Sequence, residues 1–173
     1  MACTGIRNLT MIAVALLMTA ALSHAGERDY TALFPKALPG WTASKVEFKK
    51  TTDKNFLVPI TRMQLARTYV HERTKGQIHI LIDTFDPEAS AMIDAAHKDE
   101  KYLAELKGTV KLYRLGNYQG FEHYDEANNL VMISLKLSSG KVFSIGRENA
   151  GLEDMMRYLK KTDLEKIKAF SAE

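Results

Sequence analysis

One cysteine, Cys3, one tryptophan and four prolines are all that 173 residues contain of those types. Cys3 falls inside an expected leader, so the mature chain is expected to carry neither a disulfide nor thiol chemistry, in a compartment where disulfides can form. Packing alone must then hold the fold. Several chemical signatures are missing as well. There is no G-x-S-x-G elbow, phosphate loop, dinucleotide fingerprint or C-x-x-C-H haem site, and His71-Glu72 lacks the second histidine a zincin helix needs. The charge is nearly balanced: losing Arg7 with the leader leaves 23 of 24 Lys and Arg against 21 Asp and Glu. That balance, with export, argues against nucleic acid as a partner.

The leader has the parts of a secretory signal peptide: Arg7, an apolar stretch from Met11 to Leu22, and Ser23-His24-Ala25 before the expected cut at Gly26. The apolar stretch falls short of the roughly 20 residues a membrane span requires, and no cysteine follows the cut to take a lipid anchor. Domain organisation is therefore read as a signal peptide over 1–25 and a single domain over 26–173. Removing 25 of 173 residues leaves 148, enough to bury roughly 70% of the unfolded surface.

Within that domain, Asp29 to Phe34 predicts a short helix stopped by Pro35. Pro39-Gly40 punctuates the chain before a strand running from Trp41 through Val46 and Phe48. Met63 to Phe85 predicts a hairpin around Thr74-Lys75-Gly76, with Gly76 supplying the positive φ of a three-residue loop. The preferred register sets His71 opposite His79, Val70 opposite Ile80 and Arg67 opposite Asp83. Ala66, Thr68 and Val70 would then share a face with Ile78, Ile80 and Ile82; a slip by one would mix the faces.

Asp86-Pro87-Glu88 is a strong helix start, followed by Ala89, Met92, Ile93 and Ala96 at helical spacing, with a continuation through Tyr102, Leu103 and Leu106 to Gly108. Four strands are expected near 110–115, 118–124, 130–137 and 141–146, the last two pairing Leu135 with Phe143 and Ile133 with Ile145. Leu152, Met155, Met156 and Leu159 form a helical stripe, and Thr162-Asp163-Leu164-Glu165 reads as a capping box before Ile167 and Phe170. The fold class expected is α+β: a single antiparallel sheet of about six to seven strands with helices packed on it.

With its Leu38-Pro39-Gly40-Trp41 turn, Tyr69-bearing strand, helix after Asp86-Pro87 and Leu152-to-Leu164 ending, the chain resembles small exported proteins of Gram-negative bacteria. More remotely it resembles the PsbP-like α/β/α fold of extrinsic photosystem subunits. The resemblance implies a binding or assembly role outside the cytoplasm, with no activity attached.

Two kinds of site are open. The mixed face carrying Arg67, Tyr69, Leu81 and Asp83 suits a protein partner or small ligand, unless Asp29 to Phe34 covers it and makes it core. Opposed His71 and His79 would have Cβ atoms close enough to share Zn²⁺ or Cu²⁺, given a third ligand. The leading expectation is thus an exported, non-catalytic periplasmic protein without cofactor or membrane anchor that binds a protein or small molecule. A histidine-based Zn or Cu protein comes second, and a hydrolase third. If the leader reading holds, mass spectrometry of protein recovered from the periplasm gives an N-terminus at Gly26, and a retained Met1 contradicts it.

Overall fold

The computed structural model describes residues 29–53, 60–99, 101–102, 109–125 and 129–170. The expected signal peptide, Leu103 and Leu106 lie outside them. Eight strands form one antiparallel sheet: β1 (Trp41–Ala43), β2 (Glu47–Asp53), β3 (Ile60–His71), β4 (Gln77–Asp83), β5 (Thr109–Leu115), β6 (Tyr118–Asp125), β7 (Leu130–Ser138) and β8 (Lys141–Glu148). Among the described residues they are accompanied by α1 (Pro87–Lys98), α2 (Leu152–Lys161), α3 (Leu164–Ala169) and, where a short helix was expected, a 3-10 helix over Tyr30–Leu33. The order across the sheet is β1-β3-β4-β8-β7-β6-β5, with β2 also pairing β3. The α+β class and single antiparallel sheet are as expected, but the strand count is eight. The difference lies in the segment read as one strand from Trp41 to Phe48, which breaks at Ser44. Its two pieces share the twelve-residue β3, β1 pairing with 69–71 and β2 with 60–66.

The β3–β4 register also differs from expectation. Tyr69 faces Ile78, Thr68 faces His79, Arg67 faces Ile80 and Gln64 faces Asp83. Relative to the expected pairing this is a shift of three, and an odd shift turns one strand over relative to the other. Hence Leu65, Arg67 and Tyr69 join the isoleucine row, while Ala66, Thr68 and Val70 go to the other side. The connection is the cause: Lys75, not Gly76, takes the positive φ of 60°, and the loop proper is Glu72–Lys75. Gly76 is required for another reason, because a Cβ there would lie 2.5 Å from the Asn149 carbonyl oxygen.

Two faces result. The tyrosine face collects Leu65, Tyr69, Ile78, Ile80, Ile82, Ile133, Leu135, Phe143 and Ile145, all at most 2% exposed. It is roofed by Leu33, Phe34 and Leu38 from the N-terminal segment and by Met155, Tyr158, Leu159, Leu164 and Ile167 from α2 and α3. Burying Tyr69 obliges its hydroxyl to find an acceptor, and it donates to the Pro35 carbonyl at 2.7 Å. Its ring lies 4.3 Å from that of Tyr158, whose own hydroxyl accepts from Leu38 N at 3.1 Å. Trp41, also buried, stands edge-on to Tyr158 and His71, as a core anchor should. Lys141 reaches through to α3 and donates to the carbonyls of Ile167 and Lys168, satisfying acceptors that a helix end leaves free.

The histidine face carries Ala66, Thr68, His79, Leu81, Asp83, Ser134, Ser144 and Gly146, the partners in the ladders. Here α1 packs over β6, β7 and β8, with Ile93 and Ala96 buried, Asp94 paired to Lys136 and His97 Nε2 donating to Gly120 O at 2.8 Å. The α1 start is as the sequence predicts, with Asp86 accepting from Ala89 N and Pro87 in the first turn. The β7–β8 register is likewise as predicted. At α3 the cap is Asp163, which accepts from Lys166 N, one residue later than the Thr162 capping box implies.

Tyr69→Phe, which leaves Pro35 O without its donor, is expected to cost about 1 kcal/mol. Tyr69→Ala, which also empties the space against Tyr158, is expected to cost about 3–5 kcal/mol. Urea unfolding of both variants checks this; equal and negligible losses would contradict burial of the ring.

Candidate functional site

The four residues expected to form one binding face are divided by the sheet. Arg67 and Tyr69 stand on the tyrosine face, and Tyr69 is core, covered by the N-terminal segment as the alternative in the sequence allowed. Arg67 donates through Nε to Ser44 O at 3.1 Å and sits 5.6 Å over the Tyr69 ring, so it has no pairing with Asp83. Leu81 and Asp83 stand on the histidine face. Asp83 is buried, accepts from Gln64 Nε2 at 2.8 Å and Phe85 N at 3.1 Å, and burial raises its pKa above the usual carboxylate value. These bonds tie β3, β4 and the approach to α1 together.

The expected histidine pair is likewise undone. The three-residue shift sends His71 to the tyrosine face, where its ring meets Trp41 at 5.1 Å and its Nδ1 accepts from Thr74 N at 3.2 Å. His79 goes to the opposite side, so one ion cannot bind both. Among the described residues no three His, Cys, Asp or Glu side chains gather as a metal shell.

What the fold does assemble is a group around His79 that the sequence reading did not put together. Thr68 Oγ1 lies 3.1 Å from His79 Nδ1, and Glu148 Oε2 lies 3.9 Å from Nε2. Thr68 and Gly146 are the cross-strand partners of His79, and Met132 is the next residue along that row. A Cβ on Gly146 would come within 3.3 Å of Val131 O and 3.6 Å of Leu130 Cδ1, so the glycine is closely packed there. The next row holds Ala66, Leu81, Ser144 and Ser134, the two serine hydroxyls 2.8 Å apart. Most of these side chains are half-buried, and that of His79 is 35% exposed. The signal that could have found the group was the alternation itself: once Tyr69 is assigned inside, Thr68 and His79 must share the other face.

Burial holds the His79 pKa below 6.5, against the opposing pull of Glu148 and Glu47. His79 is thus neutral near pH 7, able to accept or donate one hydrogen bond rather than act as a fixed cation. A recess of about 470 Å³ beside Ala91, Asp94, Lys98 and Tyr102 lies on α1, not in this group. It is wide open, and its Asp94 is already paired with Lys136, so it is a surface groove.

Linkage fixes a pH dependence. The unfolded chain takes up a proton near 6.5, whereas folded His79 does so only at lower pH, so acid favours unfolding between those two values. Stability is expected to fall as pH drops below about 6.5, and His79→Gln to remove that part of the fall. Denaturation midpoints across this range, with the His79 ring titration followed by NMR, test it; a ring midpoint above 6.5 contradicts it.

Compared with protein-family models, characterised proteins and solved structures, the chain matches none.

Proposed function

We propose that this is an exported, soluble, non-catalytic protein of the periplasm that holds a protein partner or small ligand on the histidine face. The observation that carries this reading is the unequal cover of the two faces. The tyrosine face lies under two helices and the N-terminal segment, while among the described residues α1 packs on β6, β7 and β8 of the other. The part around Thr68, His79, Leu81 and Met132 keeps a mixture of methyl, hydroxyl, thioether and neutral imidazole groups half-accessible. Such a mixture suits recognition, since apolar contact supplies affinity and a few polar groups fix orientation. The α/β/α layering and element order support the PsbP-like reading, and the leader supports export.

A hydrolytic reading has one specific observation behind it, the hydroxyl, imidazole and carboxylate in line at Thr68, His79 and Glu148. Against it, Thr68 N donates to Ser44 Oγ and Thr68 O accepts from Ser44 N, so its backbone is committed to the β1 side. A flat strand surface of this kind offers no pair of donors to a developing oxyanion.

Photo-crosslinking from position 81 in cells, with native mass spectrometry of the purified protein, tests the binding reading. One discrete adduct or bound molecule is expected, lost on Ala66→Arg. The same adducts from Arg157 on α2, or ester turnover abolished by Thr68→Val, would contradict it.

A further inference from the structure

Phe48 is 48% exposed, one of three large hydrophobic side chains in that state among the described residues. It is not loose. Its ring stacks on Tyr30 at 5.6 Å and 20°, and Tyr30 meets Phe170 edge-on at 5.8 Å. Three aromatic rings from the N-terminal segment, β2 and the end of α3 therefore hold one apolar surface outward at a fixed place.

The flanking charge is mostly positive. Lys45, Lys49 and Lys50 are exposed on and beside the same edge strand, and Lys166 of α3 stretches across to donate to Ala32 O beside Tyr30. Phe48 and Lys50 alternate onto one side of β2, Glu47 and Lys49 onto the other. Two acidic groups adjoin the cluster in sequence: Asp29, beside Tyr30, accepts from Thr31 N and feels Arg67, and Glu47, beside Phe48, stands on the opposite side of β2, where His79 feels its charge.

Edge strands commonly carry lysines that deter pairing with another sheet, which would account for Lys49 and Lys50. It does not account for an outward phenylalanine supported by two further rings. An apolar ring with the Lys50 ammonium on its own side of the strand, on an edge that also carries Lys45 and Lys49, fits the boundary of an anionic bilayer, with the ring among the upper acyl chains and the lysines at the phosphates. We propose that this β2 edge seats the protein on an anionic lipid surface as a peripheral contact, leaving the histidine face free.

Co-sedimentation of the purified protein with vesicles of phosphatidylcholine alone, or mixed with phosphatidylglycerol, tests this. Binding is expected only with phosphatidylglycerol present and is expected to fall with salt. Lys49→Gln with Lys50→Gln should weaken it roughly 25-fold, at about fivefold per lysine. Phe48→Ser should weaken it at temperatures where circular dichroism shows the variant still folded, and Lys160→Gln with Lys161→Gln on α2 should leave it intact. No vesicle binding, equal binding to neutral vesicles, equal loss in the α2 control, or tighter capture by polyglutamate than by vesicles would overturn the proposal.

Discussion

The buried hydroxyl of Tyr69 is the constraint on which the rest depends. A phenol can enter a core only if its oxygen finds a partner, and the Pro35 carbonyl is that partner. Satisfying it draws the segment from Leu33 to Leu38 across the sheet and sets Tyr158 of α2 against the ring. The same placement fixes which side of β3 looks inward. Since β3 pairs with β1, β2 and β4 together, its orientation passes to half the sheet.

The composition of the histidine face follows from that choice rather than from any motif. With Leu65, Arg67 and Tyr69 turned inward, Thr68 and His79 share the opposite face, with Gly146 across from His79. Desolvation keeps the imidazole neutral although Glu148 and Glu47 pull the other way. The result is a half-covered surface of small, polar and apolar groups around one neutral titratable ring.

Much of the scaffold was legible because its signals are local. The Asp86-Pro87 start of α1 is written in three residues, since a carboxylate cap and a proline each act within one turn. The β7–β8 pairing was legible because Ile133 and Leu135 find apolar partners in Ile145 and Phe143 and the short turn at Gly140 has a positive φ of 82°, although the ladder shifts register between Lys136 and Ser138. The β3–β4 register was not, for two reasons. Lys75 adopts a conformation usually left to glycine, which lengthens the loop, and tyrosine is apolar in body with a polar tip, so alternation alone does not say which face it takes. The division of the first strand at Ser44 was hidden too, because only the length of β3 makes room for two short partners. The site was missed with the register: His79 was singled out, but its companions Thr68 and Glu148 depend on pairing across three strands.

The buried tyrosine and the histidine face both rest on the β3–β4 register, and interstrand NOEs read it most directly. Contacts joining Thr68 to His79 and Tyr69 to Ile78 are predicted. Contacts joining Val70 to Ile80 and His71 to His79 instead would turn β3 over and contradict both the buried tyrosine and the histidine face.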